Sequence, residues 1–351
     1  MSATAGGSRL ARLAARIGQL GLDFALVRNE ANVRALTGVA CDNACLAVSA
    51  AGEVVLHTDF RYVPMVHRVA PGLEVRDLKE LKAIVRRFRP VRRRIGCEGS
   101  MPHLSWLKLA ATFPKHELVE FEREVLSLRA VKTPEEIARV RAAVRLNDSI
   151  WARASAGFRA GMTERELARL IRRLMIDEGE GEAFETIVCV GANAAECHHV
   201  PDDTVWNGRE SLLVDMGVKL GGFCSDMTRV TRPARASRLW RQVYELVLRA
   251  NRAGVAACRP GMTAGELDRV AREVIEQGGF GECFGHSLGH GVGLEIHEAP
   301  TARQGDRTVL EPGMLVTIEP GIYLEGNLGV RIEDLVLVTE DGCEVLSQSA
   351  R

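Results

Sequence analysis

An eleven-residue segment occurs twice in this 351-residue chain, at an offset of 100 residues. Residues 159–169 read RAGMTERELAR and residues 259–269 read RPGMTAGELDR, so seven of the eleven positions are identical. In each copy a Thr with a Glu three residues later predicts a capped helix start. The repeat therefore predicts a pseudo-symmetric domain, in which two related halves face each other and their helices cover a curved antiparallel sheet.

Each copy of the repeat is followed by two carboxylates on either side of a turn that contains glycine. In the first half these are Asp215, after the apolar run SLLV, and Asp226, beyond KLGG. In the second half they are Glu319, after MLVTI, and Glu333, beyond LEGNLG. Both patterns predict β-hairpins. Burying four carboxylates among apolar residues is very costly unless cations compensate them, so these residues and His290 predict a divalent-metal site.

The set of predicted ligands indicates the class of metal. Four carboxylates and one imidazole suit Mn²⁺, Co²⁺, Fe²⁺ or Zn²⁺ in a dinuclear site. A structural zinc site would use thiolates, and a Ca²⁺ site would use oxygen ligands only. Two metal ions about 3.5–4 Å apart can activate a shared water and stabilise an oxyanion. We therefore expect two divalent metal ions and hydrolytic chemistry.

The first third of the chain predicts a separate mixed α/β domain. Helices are predicted over residues 8–22 and 77–89, and strands over residues 24–27, 44–48, 53–57 and 94–98. A strong helix start follows, with Thr133 as N-cap, Pro134 in the first turn and Glu136 completing a capping box. We therefore expect an N-terminal domain over residues 1–127 and a second domain over residues 128–351.

Composition restricts the partners and the location. Lys and Arg number 46, as do Asp and Glu, so the net charge is zero. We expect no binding to nucleic acid or to a membrane, and we interpret the six Arg within residues 86–94 as a solvated helix end. Residues 1–9 contain no apolar run of signal-peptide length, and the nine cysteines form no CxxC pair. These features predict a cytoplasmic protein with reduced thiols.

Histidines and glycines surround the predicted ligands. His198, His286 and His297 lie in or near the ligand segments, whereas His199 is interpreted as a packed or surface residue. Cys197 next to His198 does not indicate a cysteine peptidase, since neighbouring side chains of an extended segment point to opposite faces. The glycines at positions 285, 289, 291 and 293 fit neither GxGxxG nor the P-loop. We expect them to let the backbone approach the metal ions closely.

Taken together, these segments resemble the pita-bread metallopeptidases, and most closely the proline-specific branch of Xaa-Pro dipeptidases (prolidases) and Xaa-Pro aminopeptidases. The matching segments are LVDMG (213–217), CSDMTR (224–229), GHSLGHGVGL (285–294), HE (297–298), EPGM (311–314), IEPGIY (318–323) and VRIED (330–334). The N-terminal domain is similar to the creatinase-like domain of this family through NVRALTG (32–38) and TDFRY (58–62). The resemblance covers nearly the whole chain and implies an α/β (α+β) protein with a pita-bread catalytic domain.

The resemblance also implies a role for each site residue. Asp226 and Glu333 would bridge two metal ions, Asp215 would complete the shell of one, and His290 with Glu319 that of the other. Catalysis would use a metal-bridging water, with Glu319 as proton shuttle and with His198 and His297 positioning the peptide and stabilising the tetrahedral intermediate. The resemblance places His286 in the substrate pocket, and Tyr323 and Arg331 as residues that orient the ligands.

Several functions remain open from the sequence. The resemblance favours hydrolysis of peptides with proline at the second position, Mn²⁺ or Co²⁺ before Zn²⁺ or Fe²⁺, and a homodimer. An aminopeptidase of broader specificity is the alternative within the class. A non-catalytic binding relative, or a metal-free amidinohydrolase of the creatinase type, would be expected to lack some of the five ligands, all of which are present.

Overall fold

The computed structural model describes residues 5–351, with side chains from residue 9 onward. The expectation about a signal peptide in residues 1–9 therefore lies partly outside the described residues. Contacts divide the chain into two compact units, Met1–Arg129 and Ala130–Arg351, close to the predicted division after residue 127. Within the described part of the chain, no helix combines the length and the hydrophobicity needed to cross a membrane.

The first unit is built on a six-stranded mixed sheet, in the order β4-β3-β2-β1-β5-β6. Its strands are β1 (Phe24–Val27), β2 (Ala44–Ser49), β3 (Val54–Thr58), β4 (Glu74–Asp77), β5 (Arg94–Cys97) and β6 (Glu117–Glu120). β2 pairs antiparallel with β1 and β3, while the outer pairs β3–β4, β1–β5 and β5–β6 are parallel. The prediction of a mixed α/β domain is confirmed.

Helices cover both faces of this sheet. They are α1 (Ala5–Gln19), α2 (Glu30–Thr37), α3 (Val63–Val69), α4 (Ile84–Phe88), α5 (His103–Thr112) and α6 (Glu122–Ala130). Within β1, Phe24 and Leu26 belong to one apolar cluster, and Ala25 and Val27 to another. Because side chains alternate along a strand, the two clusters lie on opposite faces. A strand covered on both faces reads as a continuous apolar run, which explains why β1 was predictable.

Two predicted helices of the first unit differ from the structure. The first helix ends at Gln19 rather than at residue 22, because Gly21 adopts a positive φ of 67° that turns the chain into β1. The helix predicted over residues 77–89 begins as a 3₁₀ helix, Leu78–Ala83, capped by the side chain of Asp77, and only then continues as α4. Helical periodicity does not distinguish between these two helix types over such short segments.

The second unit places two pairs of helices against short antiparallel sheets. The helices are α7 (Pro134–Gly157), α8 (Glu164–Glu178), α9 (Arg238–Ala257) and α10 (Ala264–Gln277). The strands of its first half are β7 (Ile187–Val190), β8 (Leu212–Met216), β9 (Lys219–Leu220), β10 (Phe223–Cys224) and β11 (Met227–Val230). Those of its second half are β12 (Gly289–Gly291), β13 (Glu298–Ala302), β14 (Leu315–Ile318), β15 (Gly321–Leu324), β16 (Leu328–Arg331), β17 (Asp334–Val338) and β18 (Cys343–Val345).

The two halves are built alike, as the repeat predicted. Capping boxes begin α7, α8 and α10 at Thr133, Thr163 and Thr263. In the first half, α7 and α8 pack on β7 and β8 in one apolar cluster, and in the second half α9 and α10 pack on β14 and β16 in another. Each fully buried Leu or Ile in such a cluster stabilises the fold by roughly 1.5–3 kcal/mol.

Each half contributes one hairpin, which confirms the second prediction from the repeat. β8 pairs antiparallel with β11, and the short pair β9–β10 forms the tip. β14 pairs antiparallel with β17, and β15–β16 forms the tip of that hairpin. In both hairpins the pairing is interrupted between the base and the tip. At these interruptions single backbone hydrogen bonds remain, from the N–H of Ser225 to the carbonyl oxygen of Val218 and from the N–H of Ile332 to that of Pro320.

Candidate metal centre

Three of the four predicted carboxylates lie at the interruptions of the two hairpins: Asp226 directly precedes β11, Glu319 directly follows β14 and Glu333 directly precedes β17. Asp215 lies within β8, opposite Thr228 of β11. Asp226 and Glu333 thus occupy equivalent positions in the two halves. A pseudo-symmetric domain brings one interruption from each half to a shared centre, which a single hairpin could not do.

Three of these carboxylates form one compact cluster. Asp215, Asp226 and Glu333 each offer an oxygen atom, and these atoms all lie within 4.8 Å of one another. Asp226 and Glu333 are only 5% and 1% exposed. Burial, together with repulsion from Glu333, raises the pKa of Asp226 well above its usual range, and burial raises that of Glu333 in the same way. A divalent cation would offset both causes.

The hydrogen bonds of these carboxylates show that the cluster fits a cation. Asp215 Oδ2 accepts a hydrogen bond of 2.7 Å from Arg331, and Glu333 Oε2 accepts one of 2.8 Å from Thr228. The second oxygens, Asp215 Oδ1 and Glu333 Oε1, are buried and have no hydrogen-bond partner within residues 5–351. Buried carboxylate oxygens are ordinarily paired. Two such oxygens in a cluster of three carboxylates are the donor set of a hard or borderline divalent metal ion.

His290 and Glu319 adjoin this cluster. His290 Nε2 lies 3.3 Å from Glu319 Oε1 and 3.6 Å from Asp226 Oδ2. His290 Nδ1 lies 3.1 Å from the carbonyl oxygen of Gly291, which can only accept, so Nδ1 carries the hydrogen. Nε2 is then the nitrogen available to a metal ion, the arrangement that metal-ligating histidines use. The structure therefore brings all five predicted ligands into one region of the second unit.

Two threonines that the sequence interpretation missed hold these ligands. Thr228 Oγ1 donates to Glu333 and accepts a bond of 3.1 Å from Arg331 Nε. Thr317 Oγ1 donates to Glu319 over 3.1 Å and accepts from the backbone N–H of His290 over 3.0 Å. Each threonine lies two residues from a predicted ligand in a strand-like segment. A period of two places them on the same face as that ligand, and this signal could have identified them.

Arg331, Tyr323 and His286 form a directed hydrogen-bond chain. Arg331 donates to the hydroxyl oxygen of Tyr323 over 2.9 Å, and that hydroxyl lies 2.8 Å from His286 Nε2. His286 Nδ1 lies 2.8 Å from the carbonyl oxygen of Ser287, so Nδ1 is the donor nitrogen and Nε2 accepts from Tyr323. Burial lowers the pKa of His286, which favours this neutral form. This series of hydrogen bonds holds Arg331 against Asp215, as expected of a residue that orients a metal ligand.

His297 and His198 lie on the more exposed side of the centre. The His297 ring packs edge-on against the His290 ring, with centroids 4.3 Å apart. Burial and the neighbouring His290 lower the pKa of His297. His198 is solvent-exposed, and the carbonyl oxygen of the preceding residue, Cys197, accepts a bond of 3.3 Å from Arg331.

One expectation about this region is wrong. The segment around Cys197 and His198 is a turn that follows a 3₁₀ helix, Gly191–Ala195, and is not extended. The approach of the glycines to metal ions stays a prediction, but two of them are needed for contacts between strands: a Cβ at Gly289 would lie 1.9 Å from Thr317 O, and one at Gly291 would lie 2.2 Å from Ala299 O. Local sequence patterns do not report such backbone contacts, because the contacting residues are distant in the chain.

Sequence and structure comparisons agree on one family. The model of metallopeptidase family M24 matches residues 138–340, and that of the creatinase/prolidase N-terminal domain matches residues 9–131. The Xaa-Pro dipeptidase of Pyrococcus furiosus is 41% identical over 261 residues, which cover 73% of this chain and 74% of that protein.

Two solved structures are similar over nearly the whole chain. The Xaa-Pro dipeptidase from Bacillus anthracis superimposes with a TM-score of 0.94 at 32% identity, covering 99% of this chain and 98% of that one. The X-Pro aminopeptidase from Thermotoga maritima superimposes with a TM-score of 0.85 at 33% identity, covering 96% of this chain and 98% of that one. The predicted α/β fold with a pita-bread second domain is confirmed.

Proposed function

Since this chain belongs to metallopeptidase family M24, we propose that it hydrolyses the peptide bond between an N-terminal residue and a following proline. The observation that carries the proposal is the cluster of Asp215, Asp226 and Glu333, with two buried carboxylate oxygens that have no hydrogen-bond partner within the described residues. The family depends on divalent metal ions. The Xaa-Pro specificity is inferred from the relatives named above.

We propose that the site holds two divalent metal ions, Mn²⁺ or Co²⁺ before Zn²⁺ or Fe²⁺. The residues that would hold them are Asp215, Asp226, His290, Glu319 and Glu333. When bound, such ions supply Lewis acidity, which polarises a substrate carbonyl and lowers the pKa of water. Four carboxylates, one imidazole and no thiolate match the oxygen- and nitrogen-preferring divalent metals.

Side chains of the protein would carry out proton transfer and stabilise the developing charge. Glu319 Oε1 accepts from Thr317 Oγ1 and lies 3.3 Å from His290 Nε2. Burial alone would raise the pKa of Glu319, but the neighbouring His290, His286 and Arg331 together lower it. A carboxylate held ionised in this way can take a proton from the attacking water and pass it to the leaving amine. His297, on the exposed side of His290, is placed to donate to a developing oxyanion, and His198 serves the same peptide from the turn.

Arg331, Tyr323 and His286 support this arrangement from the buried side. Their hydrogen-bond chain ends on Asp215, so it fixes the orientation of one proposed ligand. We propose that His286 and Tyr323 also border the substrate pocket. Because both ring nitrogens of His286 are engaged within the chain, the ring would contact a substrate through its carbon edge rather than through a hydrogen bond.

The decisive experiment compares metal-stripped and metal-loaded protein on Ala-Pro, Ala-Pro-Ala and Met-Ala-Ala. Cleavage of Ala-Pro alone identifies a dipeptidase, and cleavage of Ala-Pro-Ala identifies an Xaa-Pro aminopeptidase, which the similarity to the Thermotoga maritima structure keeps open. Cleavage of Met-Ala-Ala identifies an aminopeptidase of broader specificity. Metal-loaded protein that cleaves none of them would refute the proposal, and metal analysis tests for about two equivalents per chain.

We also propose a cytoplasmic homodimer. All nine cysteines are free thiols, as expected in a reducing compartment. The dimer is inferred from the resemblance to the proline-specific branch of the family. Light scattering of the purified protein would give the mass directly, and a monomer at micromolar concentration would contradict this part of the proposal.

A further inference from the structure

His198 lies in a turn without a hydrogen bond of its own. It is solvent-exposed, and it makes no hydrogen bond within residues 5–351. The residues on both sides of it are fixed instead. The carbonyl oxygen of Cys197 accepts from Arg331, and His199 Nε2 lies 2.6 Å from Glu164 Oε2. The position of the His198 ring therefore depends on the anchors of its two neighbours.

Glu164 is built into the fold as an acceptor. Its side chain is 0% exposed, although it stands at the first residue of α8. Oε1 accepts from the backbone N–H of Val190 over 2.6 Å and from Asn193 Nδ2 over 2.9 Å. Oε2 accepts from His199 Nε2 and from the backbone N–H of Asp202 over 3.1 Å. Glu164 thus ties the turn on both sides of residue 200 to the start of α8.

The internal repeat shows that this carboxylate is not part of the common scaffold. The residue equivalent to Glu164 in the second copy is Ala264, also at the first residue of its helix and fully buried. A capped helix start at this place therefore needs no carboxylate. Glu164 occurs only in the half that carries the His198 turn, which points to a task connected with that turn.

A second metal site is the competing interpretation of these residues. Glu164, His199 and Asp202 each offer an atom within 4.8 Å of the others. However, both oxygens of Glu164 already accept two N–H donors each, and Asp202 Oδ1 accepts from the backbone N–H of Thr204 over 2.7 Å. A cation would have to displace these hydrogen-bond donors. Buried carboxylates are usually satisfied by such donors, so the three residues need no metal ion.

We propose that the Glu164–His199 pair is a clamp that positions His198 over the metal centre. The inference rests on the proposed peptidase function, in which His198 contacts the substrate. Glu164 and His199 are positioning residues, because they act through His198 and do not touch the reacting atoms. The second nitrogen of His199 faces Glu196 Oε2 at 3.3 Å, but that carboxylate is 77% exposed and contributes little to the clamp.

A double-mutant cycle on metal-loaded protein tests the clamp with Ala-Pro as substrate. We expect His199→Ala to lower kcat about 10-fold, with KM and metal content within about twofold of wild type. In the His198→Ala background the same substitution should have no further effect on kcat, because residues that act as one unit are not additive. An equal loss in both backgrounds, or no loss in either, would overturn the inference.

Matched variants separate positioning from folding. His199→Gln keeps an N–H donor toward Glu164 and should recover most of kcat, whereas Glu196→Ala should leave kcat within about twofold of wild type. Thermal unfolding of each variant checks that the second unit remains folded.

Hydrogen exchange of residues 196–203 gives a readout independent of turnover. His199→Ala should raise the exchange rate there at least about 10-fold, and Glu196→Ala should not. Unchanged exchange refutes the clamp even if the protein proves inactive on every Xaa-Pro peptide, an outcome that would refute only the proposed function.

Discussion

Replacement of Lys132 by Met removes one partner of a buried ion pair in the second unit. Lys132 Nζ lies 3.1 Å from Glu298 Oε2, and the two side chains are 2% and 3% exposed. Glu298 directly follows His297 and also accepts from the backbone N–H of Glu295 over 3.0 Å. Methionine has a similar length and no charge, so the substitution removes the Lys132 ammonium group from beside the buried Glu298 carboxylate.

The magnitude follows from the separation of the charges. At 3.1 Å and an effective dielectric constant of about 20, the attraction of two unit charges is about 5 kcal/mol. Removing one partner of a buried pair typically costs about 3–5 kcal/mol, in agreement with that value. For a unit of this size, each kcal/mol corresponds to about 2–4 °C in Tm, so we expect a decrease of roughly 6–20 °C.

Thermal unfolding followed by circular dichroism measures the decrease in Tm, and urea unfolding measures the loss of unfolding free energy. Arg153→Met is the matched control, because Arg153 pairs with Glu178 at 2.6 Å but the side chains are 47% and 36% exposed. We expect this control to lower Tm far less than Lys132→Met does, because solvent screens an exposed ion pair. The double variant Lys132→Met/Glu298→Met should recover part of the loss. A Lys132→Met loss no larger than that of Arg153→Met would refute the reasoning.

Three further predictions concern the centre and its supports. Glu319→Gln should lower kcat about 10²–10⁴-fold with circular dichroism unchanged, and near-normal turnover would exclude Glu319 as proton shuttle. Burial alone would lower the pKa of His199, but the hydrogen bonds to Glu164 and Glu196 and the nearby carboxylates together raise that pKa above the ordinary 6.5. The pair should therefore stabilise the folded protein most below about pH 6.5, and this contribution should be lost as the pH rises through the pKa of His199 in the folded protein. The difference in Tm between wild type and His199→Gln should narrow from about pH 5.5 to 8.5. A difference that stays constant over this range would contradict the prediction. Gly289→Ala places a Cβ 1.9 Å from a backbone oxygen of β14 and should cost about 1–3 kcal/mol or more, whereas Gly285→Ala, which meets open space, should be nearly neutral in urea unfolding.

Much of the local structure was predictable because it depends on neighbouring residues. The Thr-x-x-Glu capping boxes at Thr133, Thr163 and Thr263 formed as expected, since both partners of each box lie three residues apart. The hairpins formed for the same reason, because an apolar period and a glycine turn are local signals. The end of α1 was predicted three residues too late, which shows the limit of local patterns. The positive φ of Gly21 turns the chain into β1, and the position of that strand is set by the sheet.

The sequence by itself determined which groups could bind metal, and the tertiary structure decided how those groups are held. Arg331 meets Asp215 across 116 residues, and Thr228 meets Glu333 across 105. Glu164, interpreted only as a helix start, became the acceptor for His199. Periodicity reports the face on which a side chain lies, but a hydrogen bond between distant residues depends on how strands pair and pack, and no local pattern carries that information.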